Sequence, residues 1–156
     1  MNVLELSNKL SSGRVINFTS DKVYQNKNKN ISFKENDTLK GNDPYSLSKS
    51  CSDMIGQCLN VHNKHNINKI KISTIRCGNI IGGGDWGKDR LVPDIIRALQ
   101  ENKTVNIRNP NSVRPWQYVL EPISGILWLA AKMHEEPKKN SSAWNFGPSL
   151  SENPLP

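Results

Sequence analysis

Two β-prone runs, residues 15–18 and 70–81, flank a segment at residues 46–63 whose Met54, Ile55, Leu59 and Val61 fall at helical spacing. A strand, a helix and a second strand in that order leave few folds open. Strands joined through a helix run parallel, and helices then cover both faces of the sheet. Polar Thr19, Ser20 and Asp21 follow the first run directly, as expected of a buried strand whose carboxyl end carries a site. The remaining patterns extend the same α/β alternation. Residues 91–100, with Pro93 near the start, and residues 122–133 read as helices, and Trp128 is assigned to the core. Residues 105–107 and 144–146 read as short strands, and residues 82–84 and 109–111 as turns. Residues 2–10 read as the tail of a helix, and residues 25–30 and 148–156 as loops.

With 156 residues and 35% apolar content the chain is one domain's length and can bury a core. Its net charge is +7, but the lysines are scattered and many adjoin asparagine. That argues for a compositional bias, with a lesser pull toward anionic small ligands such as nucleotide diphosphates. Nucleic acid is not expected as a partner, because neither clustered lysines nor an aromatic platform supports it. Cys51, Cys58 and Cys77 form no C-x-x-C pair, so neither a zinc site nor a disulfide framework is indicated. Residues 1–10 lack the apolar core of a signal peptide, and no stretch reaches the roughly 18 apolar residues that span a bilayer. The expectation is a cytoplasmic protein with no membrane partner.

Tyr45 and Lys49 stand four residues apart near the start of the predicted helix, on one face of it. A phenol titrates near 10 and is a poor base at neutral pH unless a cation stabilises the phenolate. Lys49 is placed to do so, and Ser20 at a strand's end offers a hydroxyl to share the proton. The spacing alone is weak, since many exposed helix faces carry such a pair. The flanks add to it: Thr19-Ser20-Asp21-Lys22-Val23-Tyr24, followed by Asp43-Pro44-Tyr45 and Ser48-Lys49, resembles the extended short-chain dehydrogenase/reductases that act on nucleotide sugars.

That resemblance implies a Rossmann-like doubly wound parallel sheet, NAD as cofactor, and a catalytic triad of Ser20, Tyr45 and Lys49, with Tyr45 and Lys49 also holding the nicotinamide ribose. Asp21-Lys22, the stretch from Cys77 to Trp86, Asp89-Arg90-Leu91, Ile107-Arg108-Asn109-Pro110, Arg114-Pro115-Trp116-Gln117 and Trp144-Asn145-Phe146-Gly147-Pro148 are similar to the CDP-glucose 4,6-dehydratases of that family. The implied reaction oxidises C4 of the sugar with Tyr45 as base, eliminates water across C5 and C6, and returns the hydride to C6. Asp21 is expected to protonate the leaving O6 and Lys22 to take the C5 proton, its neutral form favoured by burial and by Lys49. Asn79, Arg90, Arg108 and Arg114 are expected to bind the nucleotide sugar. The guanidinium of Arg114 offers forked donors matched to phosphate oxygens. Other epimerases or dehydratases of the family, and a non-catalytic binding module, are the alternatives. A homodimer is implied, as is common among these enzymes.

Gly82, Gly84 and Gly87 spell G-x-G-x-x-G after a strand, yet a dinucleotide fingerprint needs a helix opening at its third glycine. Residues 88–91 read as loop, so this is not assigned as the cofactor turn. Nothing before Val15 matches the strand, glycine turn and helix that hold the NAD pyrophosphate in the family. The expectation is therefore an internal stretch of the family pattern with an exposed apolar sheet edge and little turnover by itself. Residues 1–80 would belong to the NAD-binding domain, and residues 81–156 mainly to an interleaved nucleotide-sugar-binding region.

Overall fold

The computed structural model describes residues 13–26, 32–63 and 70–148. The helix tail expected at residues 2–10 lies outside them, as do parts of the two expected loops. Strand β1 (Arg14–Phe18) leads into a 3-10 turn (Asp21–Val23). Helix α1 (Pro44–His62) follows, then β2 (Lys71–Cys77), β3 (Ile80–Ile81), α2 (Leu91–Gln100), β4 (Gln117–Tyr118), α3 (Leu120–Glu135), α4 (Pro137–Asn140) and β5 (Ala143–Phe146).

β1, β2 and β5 form a parallel sheet with β2 at its centre. Every residue of β2 is buried, and its period-2 alternation divides the layers. Ile75 and Cys77 face α3, where they pack with Leu129 and Met133. Ile72, Thr74 and Arg76 face α1. There Gly56 brings the helix close: an added Cβ would sit 3.2 Å from Thr74 Oγ1 and 3.4 Å from Ile72 Cγ2. The result is helix on both sides of a parallel sheet, the α/β architecture expected.

Because the strands are parallel, their carboxyl ends share one edge, where Thr19 to Lys22 and Gly78-Asn79 emerge. At Gly78 the expected long strand divides, since an added Cβ there would lie 2.6 Å from Pro115 Cγ. The chain turns off the main sheet and β3 pairs in parallel with β4. Gln117 Nε2 ties the two sheets, donating to Phe146 O at 2.9 Å and to Cys77 Sγ at 3.0 Å. Two sequence expectations fail. Residues 105–107 form no strand, having no ladder partner, and Trp128 is 66% exposed on the outer face of α3, where Lys132 Nζ lies 5.7 Å from its ring centroid. No helix among the described residues is long and apolar enough to cross a membrane.

Candidate active site

The start of α1 is fixed by local chemistry. Asp43 accepts from the backbone N–H groups of Tyr45 and Ser46, Ser46 Oγ receives the Asp43 N–H in return, and Pro44 opens the first turn. Hydrogen bonding to Ser46 holds the Asp43 carboxyl below its ordinary range. Gly41 lets the preceding chain pass against the Ser46-Leu47 peptide, where any side chain would overlap the backbone.

From this start Tyr45 and Lys49 project from one face. Lys49 Nζ lies 6.0 Å from the Tyr45 ring centroid and donates to Phe18 O, at the end of β1, at 3.3 Å. Lys22 Nζ, from the 3-10 turn, lies 5.8 Å from the same centroid. The phenol, 52% exposed, thus has an ammonium group from each of two elements within about 6 Å of its ring. Lys22 is exposed, not buried as the sequence reading had it. Ser20 is buried. Its Oγ donates to Asp21 Oδ1 at 3.1 Å and accepts the Lys22 N–H at 3.3 Å, which directs its proton toward the neighbouring carboxylate. Burial pushes the Asp21 carboxyl up, against the opposing pull of the Ser20 hydrogen bond and the charges of Lys22 and Arg114. An acid that holds its proton more tightly than usual suits proton donation.

Beside this cluster a cleft of about 480 Å³ is lined by Lys22, Asn79, Arg90, Arg108, Arg114 and Trp116 among others. Four of these were expected to bind the nucleotide sugar. Their states differ. Arg90 is paired with Asp85 at 2.9 Å, and Arg108 lies 3.8 Å from Asp89 and donates to its backbone oxygen at 3.0 Å. Among the described residues the Arg114 guanidinium has no hydrogen-bond or ion-pair partner. Gly87 opens no helix: α2 begins at Leu91, and Asp89 in between takes a positive φ of 64°. The glycine cluster is therefore cleft wall.

Sequence reasoning missed two supports of the site. Arg97, inside α2, donates to Trp86 O at 3.0 Å and Gly87 O at 3.3 Å, and so anchors the cleft loop. Asp53 and Arg76 form a buried ion pair beneath the face of α1 that bears Tyr45 and Lys49. A lone arginine inside an apolar strand was the available signal, because such a charge demands a buried partner.

A parallel sheet with helices on both faces, a Tyr-Lys pair at a helix start and an arginine-lined cleft at the strand ends define an α/β protein of the Rossmann-like dehydratase and epimerase type. The chain belongs to the NAD dependent epimerase/dehydratase family, whose model matches residues 1–147. It is 46% identical over 138 residues to a CDP-glucose 4,6-dehydratase of Salmonella typhimurium, a match that covers 86% of this chain and 38% of that protein. The fold is similar to a dTDP-glucose 4,6-dehydratase of Streptomyces venezuelae solved with NAD and TYD bound, with a TM-score of 0.78 and 22% identity over 95% of this chain and 42% of that one. It is also similar to a dTDP-glucose 4,6-dehydratase of Bacillus anthracis in complex with NAD, with a TM-score of 0.75 and 24% identity over 93% and 44% of the two chains. The chain thus spans less than half the length of these relatives.

Proposed function

We propose that this chain carries the acid–base site and part of the nucleotide-sugar site of a 4,6-dehydratase acting on CDP-glucose. The observation that carries the reading is the Tyr45 ring with Lys22 Nζ at 5.8 Å and Lys49 Nζ at 6.0 Å from its centroid, Lys22 itself following the half-buried Asp21 and lining an arginine-rich cleft. CDP-glucose is chosen by the likeness to the Salmonella typhimurium protein. Tyr45 takes the proton of the sugar's C4 hydroxyl, with Lys49 stabilising the phenolate and Ser20 ordering the turn through Asp21. The resulting 4-ketone acidifies C5–H. Lys22 takes that proton and Asp21 delivers one to O6, so that water leaves and a 4-keto-6-deoxy sugar results.

NAD, when bound, supplies the hydride acceptor at C4 and the donor back to C6. Tyr45 and Lys49 fit the ribose end of that cofactor. Among the described residues no glycine turn opens a helix for its pyrophosphate. The division into a cofactor part at residues 1–80 and a sugar-nucleotide part at residues 81–156 is supported by the cleft, which lies mostly in the second. It is interleaved, because β5 returns to the main sheet. A homodimer is supported by α1, whose outward residues Leu47, Cys51, Met54, Cys58 and Val61 repeat at heptad spacing and are exposed. A cytoplasmic location follows the same reading.

The test is fluorescence titration of the cleft tryptophans, Trp86 and Trp116, with CDP-, dTDP- and GDP-glucose, with conversion followed in the presence of NAD. Tightest binding by CDP-glucose is expected, and the little product formed should be lighter by one water with a methyl group at C6. Failure to bind any nucleotide sugar, or a product of unchanged mass with an inverted C4 hydroxyl, overturns the reading.

A further inference from the structure

We propose that the buried ion pair of Asp53 and Arg76 is the positioning device of the acid–base site, setting the Ser20-Asp21-Lys22 turn against the helix that bears Tyr45 and Lys49. This rests on the roles assigned above to Asp21 and Tyr45. Asp53 is 0% and Arg76 2% exposed. The guanidinium grips the carboxylate with two parallel bonds, Nε to Oδ2 at 2.6 Å and Nη2 to Oδ1 at 2.9 Å. A buried pair of this kind is commonly no more stabilising than apolar residues of similar volume, so stability alone does not account for it.

Two of its remaining bonds, with Tyr24 and Thr19, reach the flanks of the turn, and the others go to Glu35 and Gln57. Arg76 Nη1 donates to Tyr24 Oη at 2.8 Å and to Glu35 O at 2.7 Å. Thr19 Oγ1 lies 3.4 Å from Asp53 Oδ2 and 3.0 Å from Ile75 O, and Gln57 Nε2 donates to Asp53 Oδ1 at 2.6 Å. Thr19 directly precedes Ser20, and Tyr24 lies two residues beyond Lys22. Between these posts the turn's own backbone bonds are long: Val23 N to Ser20 O at 3.3 Å and Tyr24 N to Asp21 O at 3.4 Å. The placement of Asp21 and Lys22 is therefore imposed from the flanks. Asp53 follows Lys49 by four residues and Tyr45 by eight, on the same face of α1. One ion pair thus addresses both halves of the proposed site while touching neither substrate nor reacting atoms.

The test uses Asp53→Asn and the double variant Asp53→Leu/Arg76→Met, which refills the volume with apolar groups and keeps the core closed. In the double variant the amides of Val23 and Tyr24 exchange hydrogen roughly 10- to 100-fold faster, while those of Ile72 and Ile75 stay near wild type. With NAD and CDP-glucose, kcat falls by on the order of 100-fold with KM little changed, because a misplacement of about 1 Å carries that cost. In an Asp21→Asn background the same change has little further effect. Wild-type exchange at Val23 and Tyr24 in the double variant overturns the proposal, as does a kcat loss that adds fully to that of Asp21→Asn. Failure of the wild-type protein to bind any nucleotide sugar would overturn the functional reading, and the exchange measurement then decides the positioning role alone.

Discussion

Arg114 and Arg90 line the same cleft but start from different states, and this predicts how CDP binding responds to losing each. A hydrogen bond from a charged donor contributes about 1.5–3 kcal/mol. Arg114 has no hydrogen bond or ion pair to give up among the described residues, so Arg114→Met should weaken CDP by roughly 10- to 150-fold. Arg90 already pairs with Asp85 at 2.9 Å, with the two side chains 65% and 44% exposed. Exposed pairs are worth about 0–1 kcal/mol, and a diphosphate must displace this one. Arg90→Met should therefore cost up to about fivefold less than Arg114→Met. Asp85→Asn, which frees the Arg90 guanidinium, should tighten CDP by up to about the same factor. Calorimetric titration of CDP at one fixed low ionic strength measures all three, since screening shifts such values. Equal losses from the two arginines, or CDP affinity untouched by Arg114→Met, would refute the reasoning.

Other perturbations give equally definite expectations. Because burial raises the Asp21 carboxyl, the folded state binds its proton more tightly than the unfolded chain, and stability falls as pH rises through the folded value. Asp21→Asn should thus melt higher than wild type at neutral pH, with the gap closing in acid below the ordinary carboxylate range; a constant gap across that range refutes the assignment. Gly125→Ala gains about 1 kcal/mol of helix propensity but sets a methyl 2.7 Å from the Phe146 ring. With overpacking costing about 1–3 kcal/mol, the expected outcome is net destabilisation of up to about 2 kcal/mol in urea denaturation. Mild oxidation should cross-link pairs of chains through Cys51 and Cys58 on the α1 stripe, and Cys58→Ser should abolish most of the product. A chain that sediments as a monomer and forms no cross-link would contradict the dimer.

Elements written in local chemistry were legible. The bounds of α2 coincide with the residues read as its helix, and α1 starts at Pro44, two residues before the segment whose apolar spacing was helical. The strands β1 and β5 were readable as β-prone runs, yet nothing local says that β5 lies beside β2, because partner choice depends on contacts distant in sequence. Residues 70–81 looked like one strand, and only Pro115, far along the chain, shows why it breaks at Gly78. Trp128 matched a core pattern but faces solvent, since helical spacing does not say which stripe of α3 meets the sheet. At the site, helical geometry put Tyr45 and Lys49 on one face, but only the flanking motifs made the pair informative. Grouping Arg90, Arg108 and Arg114 in one cleft needed the resemblance, and the hub at Arg76 needed the fold.

Helix α1 works as a rigid lever. Tyr45 stands eight residues from the clamp at Asp53, about 12 Å along the axis at 1.5 Å per residue. A rocking of roughly 5° about that fulcrum sweeps the phenol through about 1 Å, the scale on which proton transfer fails. Slight repacking deep in the sheet, far from any bound sugar, is thereby magnified at the tip, so evolution or engineering can retune this chemistry without altering one residue that touches it.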